Sequence, residues 1–355
     1  MSSSICLKPT ATLSVSANLR QRMISRFGKR HWQVVLLFLV VFCGLEIVTR
    51  NWLFQASKDF SRFQTFPARA EALAQQSGTR IALVGNSLTA EGVDPQALGT
   101  AMTKLGAGPI AADVFVADAS KINVWHYLVN SYFLRSGRVP DVFIVPYYED
   151  NLIDHNPLEI GRFAQFFVER SDWPEVFAHE VTTFSERSEF LLSSVWATFA
   201  ARDRIKERVL SVAVPHYQDL TVQLNETLKI HHPETVEPQL RQPVSHELLK
   251  RFLARAKQHH VQIIFVAFPT IVPGKQRPYQ PYELHSETLQ IIREAGMEFV
   301  DTRQVPELTP DMYVDDIHLN ERGRAIYSQR LAEVLVPIVQ RIVLLRPRSS
   351  ALSGG

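Results

Sequence analysis

Cysteine is nearly absent: the 355 residues include only two, Cys6 and Cys43, and both precede the region that we expect to be globular. A disulfide framework or a cysteine metal site is therefore not expected in that region. A large excess of charge of one sign is absent as well. The net charge is only +2 at pH 7, which gives no general case for nucleic-acid binding. We expect no metal, no cofactor and no nucleic-acid partner.

Apolar residues are present in ordinary amount, 46% of the chain, but they form one exceptional run near the N-terminus. Residues 34–45 are unbroken apolar or small side chains, and the segment 31–54 is long enough to cross roughly 30 Å of hydrocarbon. Trp32 and Trp52 flank the run, and such amphipathic rings favour the membrane–water interface. The sequence therefore predicts a transmembrane anchor over residues 31–54, with Glu46 near its outer end.

Basic residues precede this anchor, and they predict that its N-terminal end lies in the cytoplasm. The cluster consists of Arg20, Arg22, Arg26, Lys29 and Arg30. The chain after about residue 54 is then expected in the periplasm or outside the cell, held by one helix in a bacterial inner (cytoplasmic) membrane.

Three other interpretations of the apolar run stay open. A cleaved signal peptide has a similar charged start, but no A-x-A-like cleavage site follows the run. A lipoprotein signal ending at Cys43 is disfavoured by the bulky Phe42 before it. A buried helix of a globular protein explains neither the basic cluster nor the flanking tryptophans.

Short apolar runs alternate with helical patterns through the rest of the chain. Pro146 and Pro269 are expected to end the third and fourth of these runs. The runs predict strands at residues 80–85, 113–117, 141–145, 262–268 and 297–301. Alternating β and α elements predict an α/β fold with a parallel sheet between two layers of helices. In such folds the active site gathers at the C-terminal ends of the strands.

The same patterns divide the chain into expected regions. A long stretch, residues 152–260, reads as a mainly helical insertion or lid that overhangs the strand ends and shapes specificity. The regions are a cytoplasmic basic tail at 1–30, a transmembrane anchor at 31–54, a helical connector at 55–80, the main α/β domain at 81–345 and a flexible tail at 346–355.

The first candidate site is Gly85-Asn86-Ser87-Leu88-Thr89, directly after the first predicted strand. A serine at a strand end, near a helix N-terminus, presents its hydroxyl at the edge of the sheet. Its own backbone N–H can help stabilise an oxyanion. Taken alone, such a serine is more often a helix cap than a nucleophile.

The second candidate site is Asp315-Asp316-Ile317-His318-Leu319-Asn320, between the fifth predicted strand and the last helix. Histidine is the commonest general base near neutral pH, and a carboxylate three residues earlier can orient the ring and stabilise its charged form. The plainer interpretation is a polar loop that leads to a helix capped by Asn320.

Together, the G-N-S-L motif and the D-x-x-H motif resemble the SGNH (GDSL-like) hydrolase superfamily, over about residues 78–340. The resemblance implies a three-layer, flavodoxin-like parallel-sheet fold. It also implies that Ser87 is the nucleophile, His318 the general base and Asp315 its carboxylate partner. Asn86 stands where that family usually has aspartate, a position outside the triad.

The middle motifs depart from the family pattern. The family uses a glycine after the second strand and an asparagine after the third as oxyanion donors. Ser120 stands nearest the glycine position, where a backbone N–H needs no particular side chain, and Asn151 is the nearest side-chain amide after the third strand. The neighbouring Glu149 and Asp150 can belong to the site or can equally be solvated loop residues.

The resemblance implies a serine-dependent esterase or O-acyltransferase that forms an acyl-enzyme, then passes the acyl group to water or to a sugar hydroxyl. A membrane-anchored, outward-facing domain of this kind resembles proteins that add or remove acyl groups on envelope polysaccharides, such as those of alginate O-acetylation and teichoic-acid D-alanylation. In such systems a multispanning membrane acyltransferase often supplies the acyl group, which implies a partner of that kind here.

Two other functions stay open at this point. The domain can instead be a non-catalytic, anchored binding or assembly module for polysaccharide modification or export, and the imperfect middle motifs favour that alternative slightly. A lipase acting at the membrane is compatible with the fold, although the sequence presents no evident amphipathic surface helix.

Overall fold

The computed structural model describes residues 29–154, 158–217, 219–221, 223–224, 245–271 and 282–345. The chain divides into two compact units, Met1–Phe54 and Gln55–Gly355. Most of the predicted basic tail, the predicted C-terminal tail and the middle of the predicted insertion lie outside the described residues.

The first unit contains helix α1, Lys29–Val48, which continues into a π-helical turn at Thr49–Leu53. Helical structure from His31 to Ala56 covers 26 residues with a mean hydropathy of 2.2. At 1.5 Å per residue this segment is about 39 Å long, so by length and composition it can span a membrane. Glu46, which stood out as a charge near the end of the apolar run, pairs with Arg50 one turn later at 2.8 Å.

The second unit is built on a five-stranded sheet in which every pairing is parallel. The strand order is β2-β1-β3-β4-β5, the order of flavodoxin-like doubly wound folds. The predicted α/β class and parallel sheet are confirmed. The strands are β1 Thr79–Gly85, β2 Ile110–Val116, β3 Val142–Tyr147, β4 Gln262–Ala267 and β5 Glu298–Asp301.

The third strand corrects one expectation, because it continues through Pro146 instead of ending before it. The Tyr147 carbonyl accepts a hydrogen bond from Phe268, on the β4 side. Successive residues of a strand direct their polar groups to opposite neighbours, so those of Pro146 face β1. Pairing with β1 has already ended at Ile144, and the N–H that proline lacks is not needed there.

Helices cover both faces of the sheet, as the alternating sequence pattern predicts. The first face packs against α4 (Pro95–Met102) and α12 (Glu321–Leu345), and its core includes Leu83 of β1 and Ile264 of β4 together with Leu331 of α12. The helices of the second unit used below are α2 Lys58–Ala74, α3 Ser87–Gly92, α4 Pro95–Met102, α5 Ile122–Val129, α6 Ile160–Phe166, α7 Trp173–His179, α8 Phe184–Val195, α9 Arg202–Ala213, α10 Glu247–Gln258, α11 Ser286–Glu294 and α12 Glu321–Leu345.

The second face is covered by α2, α5 and α10, and aromatic side chains fill much of the space between helices and sheet. Phe115 of β2 lies 5.4 Å from Phe66 of α2 and 4.7 Å from Phe133 in the π-helical turn Asn130–Leu134 after α5, measured between ring centroids. Phe60, Phe63 and Phe66 of α2 are almost fully buried. The segment expected to be a connector therefore forms a helix that belongs to the core of the second unit.

The stretch expected to be one insertion has two different parts. Helix α10 buries Leu249 and Phe252 and connects β3 to β4 as the crossover helix of the sheet. Helix α6 packs instead on the outer side of α5 and α2, through Phe163 against Tyr127 and through Phe166 against Phe60. The expected boundary at residue 260 is thus too late, because α10 already belongs to the α/β architecture.

Candidate active site

Ser87 lies at the C-terminal end of β1, where the chain turns directly into α3. The Asn86 side chain caps this helix by accepting a hydrogen bond from the Leu88 backbone N–H at 3.1 Å. Ser87 is therefore the first residue of the helix and is half-buried at the edge of the sheet.

Gly85 makes the tight exit from β1 sterically feasible. A Cβ atom at this position would lie 2.0 Å from the Thr89 hydroxyl oxygen, closer than real Cβ contacts come. Any larger residue would push the first turn of α3 away from the strand, and Ser87 would move with it.

The structure brings His318 to Ser87 across 231 residues of sequence. The distance between His318 Nε2 and Ser87 Oγ is 2.9 Å, and the distance between His318 Nδ1 and Asp315 Oδ2 is 2.8 Å. The three residues predicted as a triad thus form one continuous chain of hydrogen bonds, with the histidine in the middle.

The direction of this chain follows from what each group can donate. A carboxylate only accepts hydrogen bonds, so His318 Nδ1 carries the proton that lies toward Asp315. In the neutral ring Nε2 is then an acceptor, and the Ser87 hydroxyl donates to it. This is the tautomer in which the ring can remove the serine proton.

Asp315 is itself held by its own loop. Its second oxygen, Oδ1, accepts the backbone N–H groups of Ile317 at 2.9 Å and His318 at 2.8 Å. Partial burial alone would raise the pKa of this carboxyl, but the hydrogen bonds from His318 and the two backbone donors outweigh it and lower the pKa below its ordinary value. Asp315 is therefore ionised at neutral pH and can accept the proton-bearing Nδ1 of His318.

The loop between β5 and α12 closes around this aspartate as a short antiparallel bridge between Tyr313 and Leu319. The Val314 N–H donates to the His318 carbonyl at 2.8 Å. In the loop after β4, the Ile271 N–H donates to the Asp316 carbonyl at 2.7 Å, which joins that loop to the histidine loop.

Ser120, expected near the oxyanion, lies in the loop after β2 and is 2% exposed. Its hydroxyl donates to the Ala117 carbonyl and accepts from Trp125 Nε1 at 2.8 Å, and its carbonyl accepts from Asn86 Nδ2 at 3.1 Å. Among the described residues no hydrogen bond occupies its backbone N–H. This N–H is therefore available as a hydrogen-bond donor.

Asn151, the second expected donor, is buried in the 3₁₀ turn after β3. Its side-chain oxygen accepts from the Tyr148 N–H at 3.0 Å and from Asn86 Nδ2 at 3.4 Å. Because the oxygen is occupied on that side, the Nδ2 donor is directed away from these two groups.

Asn86 is the site residue that sequence reasoning undervalued. Its amide reaches the backbone of Ser120 and the side chain of Asn151, so one side chain links the ends of β1, β2 and β3. Its oxygen also caps α3. The signal was available in the motif itself, since an amide both donates and accepts, whereas a carboxylate only accepts.

Other polar residues near these loops have structural contacts. Asp154 accepts the backbone N–H groups of Glu247 at 2.8 Å and Leu248 at 3.1 Å, and so caps α10. His126 is buried in α5 and lies 3.1 Å from Glu175. Asp150, beside Asn151, lies 2.9 Å from His285 Nε2. The His231-His232 pair and His155 fall outside the described residues.

Comparison with known proteins adds little to this geometry. No family model matches this chain, and no curated protein matches it. Among solved structures, the fold is similar to the crystal structure of an acetyl xylan esterase, AlAXEase, with a TM-score of 0.34 and 10% sequence identity. The similarity covers 72% of this chain and 99% of that chain. At this level of similarity the chemistry has to be argued from the residues of this chain.

Proposed function

We propose that this chain is a serine-dependent ester hydrolase or O-acyltransferase, with Ser87 as nucleophile, His318 as general base and Asp315 as the carboxylate that orients the ring. The observation that carries the proposal is the continuous hydrogen-bond chain from Ser87 Oγ through His318 to Asp315. A histidine bonded on both sides in this order is the arrangement that activates a serine.

In the first step Ser87 Oγ bonds to the carbonyl carbon of an ester while its proton moves to His318 Nε2. The π electron pair of the carbonyl moves to the oxygen, which becomes an oxyanion. When the carbonyl re-forms, the bond to the alcohol oxygen breaks, and the proton on His318 Nε2 is transferred to the departing alcohol. Asp315 stabilises the charged ring between the two transfers.

We propose that three donors stabilise the oxyanion. They are the backbone N–H of Ser87 at the start of α3, the backbone N–H of Ser120 and the side-chain Nδ2 of Asn151. Asn86 links the loops that carry the last two. Such donors stabilise the transition state more than the substrate, because charge develops on that oxygen during the reaction.

The acyl-enzyme is resolved by water in a hydrolase and by an acceptor hydroxyl in a transferase. The proposed acyl group is acetyl, and the proposed acceptor or substrate is an envelope or exported polysaccharide. The motif resemblance and the apolar segment His31–Ala56 support this assignment. The proposed location is the outer side of a bacterial inner membrane, where a multispanning acyltransferase would be the partner.

The proposal is tested by exposing the full-length chain in detergent micelles to a fluorophosphonate and measuring its intact mass. We expect one adduct on the wild type, none on Ser87→Ala and much slower labelling of His318→Ala. Ser136→Ala is the matched control, because Ser136 is exposed and its hydroxyl bonds only to backbone carbonyls of its own helix end.

Labelling of the wild type and of Ser136→Ala, with none on Ser87→Ala, would support an activated nucleophile at Ser87. An adduct that persists on Ser87→Ala, or a folded wild type without any adduct, would contradict the enzyme proposal. The second result would favour a non-catalytic binding module.

A further inference from the structure

Arg162 is a buried cation next to the candidate site that the proposed mechanism does not use. It belongs to α6 and is only 4% exposed. Its Nη2 donates to the Ala119 carbonyl at 3.4 Å, so it reaches the loop after β2 one residue before Ser120. A buried arginine is costly unless its charge is paired, which makes its contacts informative.

Two carboxylates pair with this guanidinium. Nη1 lies 3.5 Å from Asp59 of α2, and Nε lies 3.2 Å from Glu159 at the start of α6. Arg204 of α9 shares both partners, at 3.0 Å from Asp59 and 3.5 Å from Glu159. The pairing neutralises the charge and leaves Nη2 directed at the loop after β2.

The helix that carries Arg162 has little freedom to move. A Cβ atom on the preceding residue, Gly161, would lie 2.2 Å from the Ala200 carbonyl oxygen, so the two backbones are in close contact there. Glycine is required for that approach. Arg162 therefore projects from a helix that is fixed against its neighbour.

Ala119 has a backbone conformation that an alanine seldom adopts. Its φ is +51°, in the left-handed region, where the Cβ atom crowds the backbone. Such strain persists only where surrounding contacts hold it in place. The contact on its carbonyl comes from Arg162.

The peptide between Ala119 and Ser120 converts this contact into an orientation. In a planar trans peptide the carbonyl of one residue and the N–H of the next point in opposite directions. Since the Ala119 carbonyl points at Arg162, the Ser120 N–H points away from it. The Ser120 carbonyl and hydroxyl are bonded elsewhere, so rotation of this peptide is the remaining way to misdirect the N–H.

We infer that Arg162 is a positioning residue for the oxyanion site: it holds the Ala119–Ser120 peptide so that the Ser120 N–H faces the reacting oxygen. The inference rests on the proposed function, and Arg162 itself touches neither substrate nor reacting atoms. Arg62 of α2 also contacts the loop after β2. It binds Asp118 and the Val116 carbonyl, whereas Arg162 binds the Ala119 carbonyl.

Arg162→Lys tests this role in the full-length chain, with Arg204→Met as the matched control. Lysine keeps the positive charge beside Asp59 and Glu159 but lacks the second guanidinium nitrogen that reaches the loop. Arg204→Met removes a cation from the same pair of carboxylates without touching the loop. Initial rates on p-nitrophenyl acetate give kcat and KM for the three proteins.

We expect Arg162→Lys to lower kcat by about 10- to 100-fold with KM nearly unchanged, less than the loss for deleting an oxyanion donor outright. Arg204→Met should keep kcat close to that of the wild type. The inhibition constant of a trifluoromethyl ketone, which forms a tetrahedral adduct on serine, should weaken in Arg162→Lys by the same factor as kcat/KM.

A purely structural role predicts a different pattern. Equal losses in Arg162→Lys and Arg204→Met, a loss confined to KM, or unchanged affinity for the ketone would overturn the inference while the wild type stays active. If the wild type neither hydrolyses the ester nor reacts with a fluorophosphonate, the proposed function fails first and the inference fails with it. Thermal unfolding of both variants shows whether each is folded under the assay conditions.

Discussion

The loop that carries Asp315 and His318 is held by its own residues, whereas the loop that carries Ser120 is held by side chains from distant parts of the chain. In the first loop, Asp315 accepts N–H groups two and three residues away, and the bridge from Tyr313 to Leu319 closes the turn. Two contacts of this loop cross the fold, the one from His318 to Ser87 and the one from the Ile271 N–H to the Asp316 carbonyl.

In the second loop the Ser120 hydroxyl bonds locally, to Ala117 and Trp125, but three further contacts come from 34 to 56 residues away. Asn86 binds the Ser120 carbonyl, Arg162 binds the Ala119 carbonyl, and Arg62 binds Asp118. The comparison teaches that the proposed proton-transfer half of the site is mainly locally encoded, while the proposed oxyanion half depends on the packing of α2 and α6. Changes in those helices should therefore affect the oxyanion half first.

The largest effect is expected when the first loop loses His318. His318→Ala should lower kcat on an activated acetate ester by about 10⁴-fold or more, because it removes the base that bonds to the Ser87 hydroxyl. The double variant with Ser87→Ala should lose no more than either single variant, since the two residues act as one unit. Additive losses in the double variant would contradict a shared step.

A smaller loss is expected when the same loop keeps its shape but loses its charge. In Asp315→Asn the amide oxygen still accepts the N–H groups of Ile317 and His318, while the amide nitrogen opposes His318 Nδ1 and favours the wrong tautomer. We expect kcat to fall by roughly 10²- to 10⁴-fold with little change in the unfolding midpoint. Wild-type activity in this variant would remove Asp315 from the mechanism.

Asn86→Ala tests the second loop, because Asn86 binds the Ser120 carbonyl there. It removes the α3 cap and both links to the neighbouring loops, so the free energy of unfolding should fall by about 1–3 kcal/mol and kcat by roughly 10-fold or more. Denaturant unfolding and initial rates measure the two effects.

Asp94→Ala is the control for this variant, because Asp94 caps α4 through the N–H groups of Gln96 and Ala97, and its other side-chain partner among the described residues is Arg324 of α12. It should lose stability and keep kcat. Equal losses of kcat in the Asn86 and Asp94 variants would show that helix capping alone explains the effect.

The smallest expected effect is the pH dependence of stability at Asp315. Its pKa is lowered in the folded state, so its contribution to stability is present above the ordinary value of 3.8 and is lost as pH falls through the lowered folded value. The carboxyl is half-exposed, and solvent screening keeps the contribution below about 1 kcal/mol. The stability difference between wild type and Asp315→Asn, measured by urea unfolding, should shrink from pH 6 to pH 3. A difference that grows on acidification would reverse the sign.

Much of the fold was predictable from sequence, because buried parallel strands read as short apolar runs between helical patterns. All five runs became strands, although β2 begins at Ile110, before its predicted start, and β3 continues past Val145, its predicted end, through Pro146 to Tyr147. The role of α10 was missed, since a crossover helix and an inserted helix have the same amphipathic pattern. Only packing against β4 distinguishes them.

The sequence by itself determined the identity of the local motifs: the serine at the end of the first strand, and the aspartate three residues before the histidine. Their geometry is set by contacts within a few residues, and short-range contacts leave a pattern in the sequence. The tertiary structure alone decided that Ser87 meets His318, that Asn86 joins three strand ends, and that Arg162 reaches Ala119. Contacts across tens to hundreds of residues follow from the order of the strands and the packing of helices, which no local pattern records.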